Sequence, residues 1–400
     1  MNVNQGELHM LKRMITIVIT CLLVCMQINA QTNDHDWNKL ADGMTGALVK
    51  NFWGASFKEH PDRYFFNKMS QQADMATNDY WPQAHAMDVI VDAYLRTHDD
   101  KYLAMFDQWF EGVPRFYNGR NGDRWWRAYV DDMEWVVLTQ IRMYEASSRT
   151  VYLNKARQMY ADWIWTQWCP EHQAPFHGGI TWKTGGEPSK NACSNAPAAI
   201  IAAKLSRFAD VDKEHDRKSR EEYLAEAVRI VSWMQAHLYD ANNGEIFDNM
   251  KNDGSIRKAA FTYNQGTFLG ACHELFRLTG NIDYLTTAEK AAEFIIKHKT
   301  TNNGALSNSE RGDGALFHGI FFRYLVKLAL EPAVEAELRE QYKDYLTRLA
   351  AILVDEGLNR ETMLYGGKWH EAPPADKPSS LNAHVTGCML LEAVCLLNQK

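Results

Sequence analysis

The sequence predicts an all-α protein, an (α/α)6 barrel in which six helical hairpins close into a toroid. Three observations predict it. Apolar residues recur at helical spacing in twelve segments from Trp37 onward, with few alternating β-branched runs. The links between segments are very short after several even-numbered segments and long before most of them, which puts the long loops on one rim. Composition alternates as well. Even segments open with small or polar residues mixed with aromatics, whereas odd ones carry Lys, Arg and Glu along a solvent face. Six helix pairs at a period of about 50 residues make a closed toroid, and residues 31–400 are expected to be one domain.

In chain order the helices are expected near 34–53, 80–98, 100–117, 129–148, 150–167, 191–208, 216–240, 260–279, 282–299, 314–330, 333–356 and 379–398. The second opens Tyr80-Trp81-Pro82-Gln83-Ala84-His85 and turns almost at once into the third. The loop Asn118–Ala128 leads to the fourth, which opens Tyr129-Val130-Asp131-Asp132, and Ser148-Arg149-Thr150 joins it to the fifth. The loop Cys169–Lys190 precedes the sixth, Asn191-Ala192-Cys193-Ser194-Asn195, and the seventh is a charged amphipath around Glu221–Ala227. Ala241–Ala259 leads to Phe261-Thr262-Tyr263-Asn264-Gln265-Gly266, and Gly280-Asn281 turns the chain into the ninth helix. Thr300–Asp313 precedes Gly314-Ala315-Leu316-Phe317-His318-Gly319, and Gly357–Ser379 precedes Leu381-Asn382-Ala383-His384. The even helices are therefore inner and the odd ones outer.

In such a ring the N-termini of all inner helices meet at one funnel, with their positive dipole ends pointing in. Crowding of inner helices explains the Gly, Ala and Ser there. It does not explain Asn, Gln, His and Asp, which cost free energy when buried without partners.

The bulk numbers narrow the partners. A formal net charge of -7 and a pI near 6.1 speak against nucleic acid or an anionic membrane surface. The chain carries 13 Trp, 17 Tyr and 17 Phe, and such flat apolar faces suit sugar rings. Lys12 and Arg13, an apolar run from Met14 to Met26 and Ala30 before Gln31 read as an export signal, residues 1–30, too short to span a membrane. That predicts a periplasmic or cell-surface protein; a lipid anchor at Cys25 is the second choice. Beyond the signal, Cys169, Cys193, Cys272, Cys388 and Cys395 are odd in number and lack zinc-type spacing, so neither a disulfide framework, a metal nor a cofactor is expected. A monomer is the default.

Asp131 and Asp132 are the sharpest chemical signal. An Asp-Asp pair in a helix's first turn ordinarily just complements the macrodipole. Here it opens an inner helix, is hemmed by Trp125, Trp126, Tyr129, Met133 and Trp135, and has no Lys within five residues. Adjacent helical side chains point about 100° apart, so the two carboxyl groups can reach opposite sides of one bound group. A retaining glycosidase needs this: one carboxylate attacks the anomeric carbon while the other protonates the leaving oxygen, about 5–5.5 Å away. Spacing alone leaves open which does which.

Tyr129-Val130-Asp131-Asp132-Met133-Glu134-Trp135, Gly178-Gly179-Ile180-Thr181-Trp182, Lys190–Asn195, Thr262–Gly266 and Gly319–Tyr324, in that order, resemble glycoside hydrolase family 76. The resemblance implies an (α/α)6 barrel, endo-α-1,6-mannanase activity on α-1,6-linked mannan or manno-oligosaccharides, and a retaining mechanism with Asp131 as nucleophile and Asp132 as acid/base. The Trp-Pro-Gln-Ala-His of the second helix resembles bacterial members rather than fungal ones, which favours hydrolase over transglycosylase.

Other residues take roles from their physics. Asn191, Asn195, Asn264 and Gln265 can hydrogen-bond sugar hydroxyls or cap inner helices. Trp81, Trp125, Trp126, Trp182 and Tyr263 are stacking platforms or core. Gly178 and Gly179 allow close backbone approach to the sugar or form a turn. Gln83 and His85 are added as sugar contacts; His85, His318 and His384 otherwise read as hydrogen-bonded walls, and Arg323 as the partner of a carboxylate. Two rival functions remain: a sugar epimerase relying on funnel histidines, and a glycan-binding protein without catalysis.

Overall fold

The structure is a computed structural model that describes residues 35–57, 60–66, 80–116, 125–170, 178–185, 189–377 and 379–399. The export signal and Cys25 lie outside the described residues.

Trp37–Lys400 form one compact unit. Twelve α-helices lie among the described residues: α1 Trp37–Phe52, α2 Trp81–Thr97, α3 Asp100–Phe116, α4 Val130–Ser147, α5 Thr150–Met159, α6 Ala192–Phe208, α7 Arg220–His237, α8 Thr262–Thr279, α9 Ile282–His298, α10 Gly314–Leu330, α11 Ala336–Ile352 and α12 Leu381–Leu397. Each even-numbered helix packs on the next, and α12 packs back on α2, closing the ring; each odd helix lies outside it. This is the (α/α)6 barrel. Burial follows the same division: α6 and α12 are buried along nearly their whole length, whereas α11 buries only the stripe Tyr342, Tyr345, Leu346, Leu349 and Ala350.

Small residues bring the inner helices together. Gly266 and Gly270, one turn apart on α8, face α10, where a Cβ on Gly266 would lie 2.7 Å from Phe321 Cα and one on Gly270 would strike the Tyr324 ring. Backbone cannot yield as a flexible side-chain tip can. Gly266→Ala is therefore expected to cost about 1–3 kcal/mol in chemical denaturation; an unchanged denaturation midpoint would show that α8 and α10 can separate freely.

Two helices end differently from the prediction. The helix expected at 150–167 is α-helical only to Met159 and continues as a π turn, Tyr160–Ile164, and a 3-10 turn, Trp165–Gln167. The wider turn buries both Tyr160 and Ile164, with Tyr160 Oη donating to Glu226 at 3.0 Å. It also stacks Trp165 on Trp168, which underlies Gly178. A second π turn, Leu353–Gly357, ends the helix expected at 333–356.

The long loops contain short antiparallel pairs that helical periodicity did not reveal. β1 (Trp53–Phe57) pairs with β2 (His60–Phe65), β3 (Lys190–Asn191) with β6 (Asn249–Met250), and β6 with β7 (Ile256–Arg257). β4 (Tyr239–Asp240) pairs with β5 (Glu245–Ile246), and β8 (Leu358–Asn359) with β9 (Leu364–Tyr365). Two residues are too few for a period, although Asn242-Asn243-Gly244, with Gly244 at φ +85°, is a legible hairpin turn.

The C-terminal halves of the inner helices carry a buried ionic network around a separate cavity of about 170 Å³. Arg142 of α4 meets Asp88 at 2.7 Å and also Asp92, both on α2; Arg323 of α10 reaches the same pair at 3.7 and 3.1 Å. Farther round, Lys204 meets Glu145 at 2.6 Å, and both Lys327 and Arg207 meet Glu274. Arg323 thus has the carboxylate partners the sequence predicts.

Candidate active site

At the other end of the ring, a cleft of about 630 Å³ opens among the first turns of the inner helices. Asp131 and Asp132 sit in the first turn of α4, whose N-cap Tyr129 is extended and supplies no side-chain cap. Both carboxylates face the cleft.

Asp131 is tightly held. Its Oδ2 accepts from Trp182 Nε1 at 3.2 Å and from Cys193 Sγ at 3.3 Å. Oδ1 makes no hydrogen bond to any described side chain. Burial pushes this carboxyl up to about 6, against the pull of the Cys193, Trp182 and helix N–H bonds. Three residues on, Glu134 is fully buried with neither carboxyl oxygen bonded, and burial plus repulsion from Asp131 raise it well above the ordinary range.

Aromatic rings make the walls. Tyr263 and Phe317 stack at 4.0 Å and 14°, Trp182 leans on Tyr129 at 4.9 Å, and Trp81 lies 6.4 Å from Trp135. Trp81 Nε1 donates to Asp313 Oδ1 at 3.1 Å, which fixes the indole across the cleft. Asp248 forms a polar wall: burial raises its carboxyl, while Arg257, 2.9 Å away, pulls it down.

Of the residues singled out from sequence, the structure brings Trp81, Asp131, Asp132, Trp182, Asn191 and Tyr263 to the cleft. Asn191 is the N-cap residue of α6, yet its side chain makes no cap bond; its Oδ1 accepts from Ser189 Oγ at 3.1 Å.

The others are placed elsewhere, for stated reasons. Gln83 clamps the backbone of Phe65, accepting its N–H at 2.9 Å and donating to its carbonyl. Gln265 does the same across a hairpin, accepting from Ile246 N–H at 2.6 Å and donating to Gly244 O at 3.1 Å. Asn195 is fully buried and holds Ile180 through both its N–H (2.8 Å) and its carbonyl (3.0 Å). Asn264 is buried and turned to Asp248 at 3.4 Å. Trp125 packs against Trp109 and Phe110, and Trp126 packs against the core. Gly178 and Gly179, at φ +79° and +81°, lie flat on Trp233, where a Cβ would come within 2.8 Å. These glycines and Asn195 act on the cleft indirectly, by setting the loop that presents Trp182.

His85 lies under the cleft floor, edge-on to Trp81, and borders the ionic cavity instead. Burial lowers it to about 3. His318 bonds Thr262 and Ser307, and His384 bonds Met44 and receives Tyr365 N–H, as expected of structural walls. Among the described residues no histidine lines the cleft.

Sequence reasoning missed Cys193, Asp248, Arg257, Asp313 and Phe317 as cleft residues. Phe317 and Cys193 carried a signal, since both belong to inner-helix openings.

A closed ring of inner helices whose open rim holds two adjacent carboxylates between aromatic walls defines a glycoside hydrolase of the (α/α)6-barrel class. The sequence pattern of glycosyl hydrolase family 76 matches residues 36–399, and the chain belongs to that family. Its fold is similar to that of the GH76A α-1,6-mannanase from Salegentibacter sp. HEL1_6, with a TM-score of 0.78 and 32% identity over 91% of this chain and 100% of that one. An inactive variant of that enzyme, with two consecutive aspartates replaced by asparagine, has been solved with α-1,6-mannotriose and matches at 31% identity, the same coverage and TM-score 0.78. The chain is also 32% identical over 115 residues to the mannan endo-1,6-alpha-mannosidase DCW1 of Candida glabrata, and 24% identical over 181 residues to DFG5 of Candida albicans. Those matches cover 26% and 41% of this chain and only 23% and 38% of the fungal proteins.

Proposed function

We propose that this protein is an exported, retaining endo-α-1,6-mannanase. The observation that carries the reading is the pair Asp131 and Asp132 at the N-terminus of an inner helix, opening into one aromatic-walled cleft. The mannotriose complex of the Salegentibacter relative supports the substrate class.

In the first step Asp131 attacks the anomeric carbon, the bond from that carbon to the bridging oxygen breaks, and Asp132 gives its proton to the departing sugar oxygen. In the second, water attacks the same carbon, passes its proton to Asp132 and releases Asp131 as a carboxylate. Two inversions leave the configuration unchanged. Trp81, Trp182 and Tyr263 offer rings for stacking, and Asn191 and Asp248 offer polar contacts to hydroxyls.

The test is to incubate the purified mature protein with debranched α-1,6-mannan while following reducing ends, product sizes and, by proton NMR, the anomer first released. Short oligosaccharides released as the α-anomer are expected. A first-formed β-anomer would refute retention, and binding of the polymer without any product would replace the hydrolase with a glycan-binding protein.

A further inference from the structure

The proposed mechanism leaves one contact of the nucleophile unexplained. Cys193, the second residue of α6, is 2% exposed, and its thiol lies 3.3 Å from Asp131 Oδ2. Tyr263, at the start of α8, is a neighbour of the same thiol. Three consecutive inner helices therefore bring Tyr263, Cys193 and Asp131 together.

We propose that Cys193 is a positioning residue that, together with Trp182, fixes the orientation of the Asp131 carboxylate through Oδ2 for attack on the anomeric carbon. The inference rests on the assignment of Asp131 as nucleophile. Two donors converge on Oδ2, whereas no described side chain bonds Oδ1. Two donors on one oxygen hold the carboxylate against rotation, with Oδ1 turned into the buried interior. A thiol suits the task because it is a weak donor: it orients the carboxylate while drawing off less of its charge than a hydroxyl would. Burial and the neighbouring carboxylate push the Cys193 thiol up, so it keeps the proton that it donates.

The titratable groups facing Asp131 come from several elements. Asp132 and Glu134 lie on α4, Cys193 on α6 and Tyr263 on α8; Asp248, with Arg257 beside it, faces Cys193 and Tyr263 from the loop before α8. Of these, Cys193 is the side chain whose removal changes hydrogen bonding to Asp131 without changing the charge around it.

Two measurements test the positioning role of Cys193. In the first, kcat and KM of Cys193→Ala are followed against pH on α-1,6-manno-oligosaccharides. The acid limb of kcat/KM is expected to move up by roughly half to one pH unit, with kcat down about tenfold and KM unchanged. Cys193→Ser, which keeps a donor, should recover most of the loss. In the second, the infrared S–H stretch of Cys193, isolated as the difference between wild type and Cys193→Ala, is recorded in Asp131→Ala. Its band should move to the position of a free thiol, and Tyr263→Phe should shift it less. A pH profile of Cys193→Ala superimposable on that of wild type, or an S–H band indifferent to Asp131, overturns the proposal. If wild type does not cleave mannan, the hydrolase reading fails on its own, and the infrared band still decides whether the thiol serves Asp131.

Discussion

Asp131→Asn is expected to lower kcat on α-1,6-mannan by on the order of 10³-fold or more while making the folded protein more stable at neutral pH. The two effects share a cause. Burial holds the Asp131 carboxyl at about 6, above the ordinary 3.8, so ionising it at pH 7 costs the folded state on the order of 2–3 kcal/mol. A folded-state value above the unfolded one means that the native protein binds the extra proton between these two pH values. Stability contributed by this group is therefore full below about pH 3.8 and is lost as pH rises through about 6. Asparagine cannot ionise and escapes that loss. Melting temperatures of wild type and Asp131→Asn should diverge above pH 6, with the variant higher, and converge near pH 4. A variant that melts below wild type at pH 7.5 would mean that the carboxylate is a structural anchor rather than a strained catalytic group. The same titration sets the wild-type acid limb, because a protonated, uncharged Asp131 is too weak a nucleophile to attack: kcat/KM should fall as pH drops through about 6. Asp132→Asn removes the proposed proton donor and is expected to cost about 10²–10⁴-fold in kcat.

What could be read from the sequence, and what could not, divides along a physical line. The twelve helices and their inner and outer alternation were legible because the 3.6-residue period and the contrast between Ala192–Ala203 and Glu221–Ala227 are properties of local sequence. Asp131 and Asp132 were legible because two carboxylates without a basic neighbour make poor packing. For the amides, sequence could say only that they need partners. Gln83, Asn195 and Gln265 find those partners in the backbone of Phe65, Ile180 and Ile246, not in the cleft, and those segments lie 15 to 19 residues away along the chain. Asp248 and Arg257 belong to a loop whose two-residue strands have no period, so nothing local aims them at the cleft. Cys193 stood in sequence only as part of an inner-helix opening, and only the ring, which sets α6 beside α4, brings its thiol to Asp131.

The ionic network at the other end of the barrel carries the second large effect. Asp88 is 3% exposed and stands between Arg142 of the adjacent α4 and Arg323, which reaches it from α10. Burial alone would raise its carboxyl, but the two guanidinium groups more than offset that and hold it below the ordinary range. Asp88→Ala leaves both guanidinium groups sharing Asp92 and is expected to cost about 3–5 kcal/mol. In a domain of this size that lowers the melting temperature by roughly 5–10 °C. The sign with pH is opposite to that at Asp131: a depressed carboxyl stabilises above its unfolded value and loses the contribution as pH falls through its folded one. The wild-type advantage over Asp88→Ala should therefore shrink in acid, where Asp131 becomes less costly. Arg142→Leu in the Asp88→Ala background should restore part of the loss, because it removes one of the stranded charges. Asp131 and Asp132 lie beyond the Trp81, His85 and Trp135 floor, and His85, neutral near pH 7, needs no counter-charge from Asp88. Activity per folded molecule, measured well below the melting transition, should stay within about tenfold of wild type. A stable but inactive Asp88→Ala would instead tie this network to the chemistry above it.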